Sequence, residues 1–331
     1  MKLLFVGDVM LGREVNTILK AEPSTYPWGD TLPLFQEADV RLCNLECAIS
    51  DRGTPWSATL KVFHFRSDAK NVAVLHAAQI DAVSLANNHV LDFSYEGLFD
   101  TLHHLEQAGI RFAGAGATLK EASDPIIWEV QGKKLGFIAI TDNEPSWAAS
   151  GEHPGVWYVP IRVQGKQAQH LFEVVQRTKA EVACLIVSVH WGPNWGSTPP
   201  PEHRLFAHAL IDYGADIIFG HSCHVVRGIE VYQDKPILYG TGNFIDDYAV
   251  DEVERNDQSF LFLIELNGTT ISRLLLYPTV IRHDQARRTR NSESHAIITR
   301  MQRLCTQLNT VLLWNEEEER LEGDLNALQK G

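Results

Sequence analysis

Long apolar runs are absent from this sequence, and no stretch approaches the roughly 18 consecutive apolar residues of a membrane-spanning helix. The apolar run at the N-terminus stops at Asp8, which is too early for the ~7–15-residue core of a secretory signal. It favours a first buried strand over residues 3–6 instead. We therefore expect a chain without a transmembrane segment that works in the cytoplasm.

Cysteine and positive charge are also scarce. The five cysteines include no Cys-x-x-Cys pair, which argues against a disulfide framework and favours a reducing compartment. Lys and Arg number 29 against 42 Asp and Glu, so the formal net charge is -13. Because nucleic-acid-binding surfaces are usually basic, this balance argues against a nucleic-acid partner.

The remaining composition, 44% hydrophobic and 21% charged, is that of an ordinary globular protein. Strand and helix patterns alternate through roughly the first two hundred residues, which predicts a layered α/β domain that includes a strand over residues 62–65. Further on, apolar residues recur at helical spacing, and the acidic run 316–319 is typical of a solvated helix face. We predict a domain over residues 1–282 and a C-terminal helical extension, residues 283–331, packed on it.

Residues 81–92 form the most informative stretch. They begin as a buried strand and then present Asn87, Asn88, His89 and Asp92 before an amphipathic helix. In open α/β sheets, ligands bind outside the carboxyl ends of the strands. Two amides and an imidazole at such a position exceed what a solvated turn requires, so this stretch predicts a functional site.

Other predicted strands end in the same way. A lone histidine after a strand is more often a hydrogen-bonded structural residue than a ligand. Several polar groups at equivalent strand ends are different, because they can converge on one edge of the fold. Imidazoles, carboxylates and amide oxygens together suit one or two divalent ions of Mn, Fe or Zn. The polar residues that end these strands are Asp8, Glu46, Asn88, His89, His190, His221 and His224.

Aromatic residues leave two interpretations open. Trp147, Trp157, Trp191 and Trp195 could form an apolar wall over such a site, and core packing explains each of them about as well. His203 falls within a predicted helix, where a surface position is favoured over a ligand role.

The motifs at these strand ends resemble the CapA/PgsA family of poly-γ-glutamate capsule biosynthesis, within the calcineurin-like metallophosphoesterases. The resemblance covers roughly residues 1–280. It implies a four-layer α/β/β/α metallophosphoesterase-like sandwich with a dinuclear metal centre between the sheet ends. The motifs that carry it are Gly7-Asp8-Val-Met-Leu-Gly-Arg13, Asn44-Leu-Glu46, Ala86-Asn-Asn-His89 with Asp92, Val189-His-Trp-Gly192, Gly220-His-Ser-Cys-His224 and Gly242-Asn-Phe244.

The resemblance also implies roles for individual residues. Asp8 and His224 are similar to ligands of the first metal, and Glu46 occupies the bridging place. The ligands that it implies for the second metal are Asn88, His190 and His221. His89 resembles the family's general acid, with Asp92 as a residue that orients it.

Arg13 lies just past the first motif. It could bind an anionic substrate group with two hydrogen bonds, or it could form a surface salt bridge.

One position departs from the superfamily pattern. The first motif is usually Asp-x-His, and Met10 stands in the place of that histidine. Methionine sulfur is a poor ligand for hard or borderline ions, so we expect Met10 to pack in the core. The first site then lacks a ligand, and we expect one firmly held metal and one weaker, exchangeable metal.

Two functions follow from these observations. The first is a metal-dependent hydrolase of the metallophosphoesterase type, using metal-activated water and a histidine acid on an anionic small-molecule or polymer substrate. The second is a non-catalytic, metal-containing binding or scaffold subunit of a capsule-polymer machinery. Retention of His89 favours the enzyme, because a scaffold needs no general acid, whereas Met10 favours the scaffold. Both stay open at this point.

Overall fold

The computed structural model describes residues 1–290 and 292–325 of the 331-residue chain. The strands, numbered along the chain, are β1 (Lys2–Val9), β2 (Val40–Leu45), β3 (Ala48–Ile49), β4 (Arg66–Ser67), β5 (Ala82–Ser84), β6 (Arg111–Ala113), β7 (Ala115–Gly116), β8 (Ile126–Val130), β9 (Lys133–Thr141), β10 (Gly155–Val156), β11 (Cys184–His190), β12 (Ile217–His221), β13 (Ile229–Tyr232), β14 (Lys235–Leu238), β15 (Asn243–Ile245), β16 (Gln258–Asn267), β17 (Thr270–Arg282), β18 (Gln285–Arg288), β19 (Leu313–Asn315) and β20 (Arg320–Asp324). The helices are α1 (Arg13–Ile18), α2 (Leu32–Gln36), α3 (Val72–Ala77), α4 (Ser94–Gln107), α5 (Leu119–Ser123), α6 (Lys166–Lys179), α7 (Pro201–Asp212) and α8 (Ser292–Thr306), with 3₁₀ turns at Tyr26–Thr31, Ala69–Asn71 and Pro145–Trp147.

Two large sheets form the centre of the molecule. The first has the strand order β19-β20-β17-β16-β1-β2-β5-β6, with β15 paired to β1 and β18 paired to β17. The second has the order β13-β14-β12-β11-β9-β8. Strands β1, β2, β5 and β6 are parallel to one another, as are β9, β11, β12 and β14. Each sheet therefore has one edge at which several carboxyl ends meet.

The alternating side chains of β1 show which layer packs on each face of the first sheet. Leu3 and Phe5 pack in a cluster that joins both sheets, whereas Leu4 and Val6 pack in a second cluster with helices α3 and α4. A third cluster joins the outer face of the second sheet to helices α6 and α7. Because successive side chains of a strand point to opposite faces, each sheet is covered on both sides. The expected four-layer α/β/β/α sandwich is confirmed.

The C-terminal segment is only partly helical. Helix α8 packs in the cluster between the sheets, but β18 and β20 pair with β17 and extend the first sheet. The acidic run 316–319 is the turn between β19 and β20, so the predicted helix face is wrong there. β20 escaped prediction because its partner strand β17 is distant in sequence, whereas β18 forms a tight hairpin with β17 that its charged sequence did not reveal. Residues 291 and 326–331 of the predicted extension lie outside the described part of the chain.

The strand predicted over residues 62–65 is also wrong. Residues 50–65 form an irregular loop, which we call the 50–65 loop, between β3 and β4. Val62 and Phe63 are 76% and 59% exposed. Apolar runs indicate strands only when a neighbouring strand covers them, and here the run lies at the protein surface.

Among the described residues, no helix combines the length and the apolarity that crossing a bilayer would require. The five cysteines are free and buried, as the absence of a disulfide framework predicts.

Gly7 permits the close approach of β15 to β1. Asp8 N–H donates to the Gly242 carbonyl at 3.0 Å, and a Cβ atom at position 7 would overlap that carbonyl oxygen. We expect Gly7→Ala to lower the free energy of unfolding by roughly 3 kcal/mol because it forces the two strands apart. Urea unfolding measures the loss.

Gly151→Ala is the matched control, since nothing lies within 4 Å of a Cβ at that position. An unchanged unfolding midpoint in the Gly7 variant would show that β15 can move aside without cost.

Candidate metal centre

The polar strand ends of both sheets meet at one edge of the sandwich. Asp8, next to the last residue of β1, lies opposite Asn44 of β2 and Asn243 of β15. His190 ends β11 and lies opposite His221 of β12. The register therefore places two predicted histidines side by side in the second sheet and sets Asp8 between two asparagines in the first.

A first group of possible ligands consists of Asp8, Glu46 and His224, whose ligand atoms lie within 4.8 Å of one another. The His224 Nδ1 atom lies 3.6 Å from Asp8 Oδ2. Both carboxylates are buried, and neither Asp8 Oδ2 nor Glu46 Oε1 has a hydrogen-bond partner. Buried carboxylate oxygens without partners are costly unless a cation or a proton compensates them.

A second group consists of Asp8, His190 and His221, all of them buried. The two imidazole Nδ1 atoms are 2.8 Å apart, and the His221 Nδ1 lies 3.9 Å from Asp8 Oδ1. His190 Nε2 lies 2.9 Å from the amide oxygen of Asn88, which can only accept, so this nitrogen donates. The Nδ1 lone pair of His190 then points into the group. His221 Nε2 has Ser188 Oγ at 2.7 Å as its own outer partner.

The electrostatics of both groups favour a bound cation. Burial raises the pKa of Asp8, and burial together with the neighbouring Asp8 charge raises the pKa of Glu46 well above its usual value. Burial lowers the pKa of His190 well below its ordinary value and that of His221 to about 3. Metal ligands must be deprotonated, and neutral imidazoles beside buried carboxylates meet that requirement once a divalent ion supplies the positive charge. The donor set fits the metal that the fold implies.

Asp8 belongs to both groups, whereas the resemblance places Glu46 in the bridging position. Glu46 instead has its Oε1 atom 3.7 Å from His89 Nε2. The geometry therefore brings the predicted metal-binding carboxylates and imidazoles together, with Asp8 common to both groups, and the bridging role of Glu46 stays a prediction.

Met10 packs in the core as the sequence predicts. It is fully buried, and its sulfur accepts the Gly12 N–H at 3.0 Å. The first group accordingly draws on three residues, one of which, His224, is only partly buried.

His89 is held in one orientation by its neighbours. Its Nδ1 atom lies 2.6 Å from Asp92 Oδ2, and its ring stacks on Phe65 with centroids 4.1 Å apart. Because a carboxylate accepts, Nδ1 carries the proton, and Nε2 is left on the side of Glu46. Burial lowers the pKa of His89, and the Asp92 charge acts in the opposite direction.

Lys61 is a functional candidate that the sequence reasoning missed. Its side chain is 6% exposed, and its Nζ atom lies 3.3 Å from Asp92 Oδ1 and 2.5 Å from the Asn88 carbonyl oxygen. The ammonium also lies 4.8 Å from the centre of the Trp147 ring. A single lysine inside an otherwise apolar run, residues 60–65, was the available signal.

Asn44 and Asn243 were also missed, although both stand in the quoted motifs. The Asn44 amide donates to Asp8 Oδ1 at 2.8 Å and to Glu46 Oε2 at 3.3 Å, so it fixes the two carboxylates relative to each other. Asn243 Oδ1 lies 3.0 Å from His224 Nδ1. Nearby, Asp246 is buried with its Oδ2 atom unpartnered, and burial raises its pKa to about 8.

A cavity of about 560 Å³ opens onto Asn88, His89 and His224. Arg13 lines it, and its Nε atom lies 3.3 Å from Asp247 Oδ2, so the salt bridge is present and binding of an anionic substrate group stays a prediction. We call this space the site cavity.

Of the four tryptophans considered as a wall, Trp195 lines the site cavity, whereas Trp147, Trp157 and Trp191 are core residues. The predicted surface position of His203 is wrong. This residue is buried and stacks on Trp191 at 4.7 Å, because the apolar face of α7 is wider than its sequence pattern indicates.

Comparisons with known proteins agree with this architecture. The sequence matches the family of bacterial capsule synthesis proteins, PGA_cap, over residues 2–248. A probable polyglutamine synthesis accessory protein of Mycobacterium tuberculosis is 36% identical over 305 residues, which covers 81% of this chain and 80% of that protein. The capsule biosynthesis protein CapA of Bacillus anthracis is 28% identical over 329 residues, 98% of this chain and 77% of its own length.

A solved structure of a hypothetical protein from Thermus thermophilus has a similar fold. Its TM-score is 0.51 at 17% identity, and the match covers 84% of this chain and 98% of that one.

Metal titration tests the centre directly. We expect Mn²⁺ added to chelator-treated protein to bind in two steps with dissociation constants at least about tenfold apart, because the second group is fully buried with two imidazoles, whereas His224 of the first is only partly buried. Replacing His221 with Ala should remove the tighter step, and isothermal titration calorimetry measures both.

His103→Ala, a substitution at an exposed histidine of α4, should leave both steps unchanged. Two equally tight steps, or no binding at all, would contradict this assignment.

Proposed function

The chain belongs to the PGA_cap family of bacterial capsule synthesis proteins, and from that premise we propose that it is a metal-dependent hydrolase acting on a phosphoester or a related anionic ester. The observation that carries the proposal is the pairing of His89 with Asp92 beside two groups of possible ligands, next to a cavity that His89 and His224 line. A metal site without such an imidazole could serve structure alone. His89 adds a proton donor, because its Nδ1 atom is fixed by Asp92 and its Nε2 atom lies beside Glu46 of the first group.

Two sets of side chains would hold the ions. Asp8, Glu46 and His224 form one set, and Asp8 joins His190 and His221 in the other, with Asn88 beside them. A divalent ion bound there supplies Lewis-acid polarisation of a phosphoryl oxygen and lowers the pKa of an attacking water. The Asn44 amide holds the Asp8 and Glu46 carboxylates in place before any ion arrives.

His89 completes the reaction at the leaving group. In its imidazolium form, His89 carries a proton on each ring nitrogen. Water adds to phosphorus, the bond from phosphorus to the ester oxygen breaks, and the Nε2 proton passes to that oxygen, which leaves the ring neutral. The added water loses a proton to solvent, and solvent then returns a proton to Nε2. Asp92 accepts from Nδ1 and stabilises the charged ring, while the Phe65 stack prevents it from turning.

Arg13 is proposed to position the anionic group of the substrate. Its partly exposed guanidinium lines the site cavity, and the Nε atom of that group is paired with Asp247. The terminal nitrogens remain available for two parallel hydrogen bonds to substrate oxygens.

The family and the names of its relatives support a role for this reaction in the handling of poly-γ-glutamate. One relative is named for polyglutamine synthesis and another for capsule biosynthesis. We propose that the present chain serves such a process through hydrolysis at its metal centre.

A second candidate is a non-catalytic binding subunit that keeps the fold and one metal. Met10 favours it, because the methionine occupies a ligand position and its sulfur already accepts the Gly12 N–H. The orientation of His89 argues for the enzyme, since a subunit without turnover needs no imidazole fixed toward the cavity.

Turnover measurements separate the two candidates. With Mn²⁺ present, we expect the protein to hydrolyse members of a panel of phosphomonoesters and phosphodiesters, and His89→Ala to lower kcat by about 10²–10⁴-fold through loss of proton transfer. His103→Ala is the matched control at an exposed histidine. Equal rates in wild type and the His89 variant would remove the imidazole from the mechanism, and no turnover of any ester would favour the binding subunit.

A further inference from the structure

We propose that the site cavity takes a small phosphoester whose leaving group is aromatic or otherwise apolar, and does not take a polyanionic chain as the hydrolysed substrate. This inference rests on the proposed hydrolysis and names its substrate class. It depends on the side chains that line the cavity between the protein surface and His89.

Four exposed apolar side chains are grouped along the wall of the site cavity. Leu60 is 97% exposed, and Val62, Phe63 and Trp195 are also exposed, yet all four line this one cavity. Single exposed apolar residues need no explanation, whereas a contiguous group around a concave site marks a ligand-binding surface.

Aromatic rings connect this wall to the proposed acid. Phe63 stacks on Phe65 with centroids 6.4 Å apart, and Phe65 stacks on His89 at 4.1 Å. The row therefore begins at the exposed mouth of the cavity and ends at the imidazole that faces the leaving oxygen. Because the row joins the mouth of the cavity to His89, we place the leaving group of the ligand beside the exposed end of the row, at Phe63.

A second aromatic row lines the cavity. Trp195 lies 6.2 Å from His224, and His224 lies 5.5 Å from Tyr248. Tyr248 in turn lies 5.7 Å from Phe65, which joins the two rows beside the ligand groups. Aromatic pairs at such separations are favourable beyond their buried area, so a flat aromatic group on a ligand gains contacts from both rows.

Charge in the cavity does not favour a polyanion. The cationic side chains that line it are Arg13 and Lys61. Lys61 already lies within 3.4 Å of both Asp92 and Glu144, and Arg13 is paired with Asp247. The net charge of the chain is -13. A ligand with one anionic group at the metal ligands and an apolar remainder matches this distribution, whereas repeated carboxylates do not.

Ligand binding tests the inference without requiring turnover. Phenylphosphonate and methylphosphonate share the anionic head and differ in the attached group. We expect calorimetry on the full, Mn²⁺-loaded chain to give a dissociation constant roughly tenfold lower for phenylphosphonate. Phe63→Ala and Trp195→Ala should each reduce that ratio to about threefold or less, with little change for methylphosphonate.

Leu205→Ala provides the matched control, because Leu205 is an exposed apolar residue of α7 that does not line the cavity. The Leu205 variant should keep the roughly tenfold preference of the wild type for phenylphosphonate. Equal affinity for the two phosphonates, no binding of either, or displacement of phenylphosphonate by an oligo-γ-glutamate at comparable concentration would overturn the inference. If the protein binds phenylphosphonate more tightly than methylphosphonate but hydrolyses no aryl phosphate, the proposed catalysis is overturned. The inferred ligand class of the cavity then still stands.

Discussion

The position of the Asp8 carboxylate is the constraint on which the rest of the site depends. Strand β1 lies between β2 and β15 at this point, so Asp8 has Asn44 on one side and Asn243 on the other. Asn44 donates to one of its oxygens, and the other oxygen has no hydrogen-bond partner. Since Asp8 belongs to both ligand groups, any shift of β1 relative to its neighbours would separate both at once.

This arrangement has a cost to folding that a bound ion would offset. Two carboxylates and two imidazoles are removed from water within a few ångströms of one another. Desolvation disfavours the charged forms of all four, and the like charges of Asp8 and Glu46 add to that penalty. The apolar packing of the two sheets holds these groups together, which explains why the site is assembled by strand ends and not by mobile loops.

Much of this site could be predicted from the sequence because its signals are local. These buried strands carry a polar group at or next to their last residue, and parallel pairing brings such ends to one edge, so the pattern points to Asp8, His190 and His221. Lys61 could not be predicted in the same way, because its partners Asp92 and Glu144 are distant in sequence. Strand β20 was missed for a similar reason, because its partner β17 is distant in sequence. Strand β18 pairs with β17 in a local hairpin, and it was missed because its short, charged sequence lacks an apolar strand pattern.

The proposed metal ligands and the apolar wall of the cavity lie on different parts of the fold, which affects how each can change in evolution. Most of the proposed metal ligands lie at or next to strand ends, where a change in one disturbs the core, whereas the apolar wall belongs to the 50–65 loop and to the loop that carries Trp195. On the proposed function, wall residues can therefore change, and the substrate range with them, while the proposed metal ligands stay in place. Lys61 differs from its neighbours, since it stands between exposed Leu60 and Val62 while it contacts Asp92 and Asn88. A change at position 61 would also disturb Asp92, which orients the proposed proton donor.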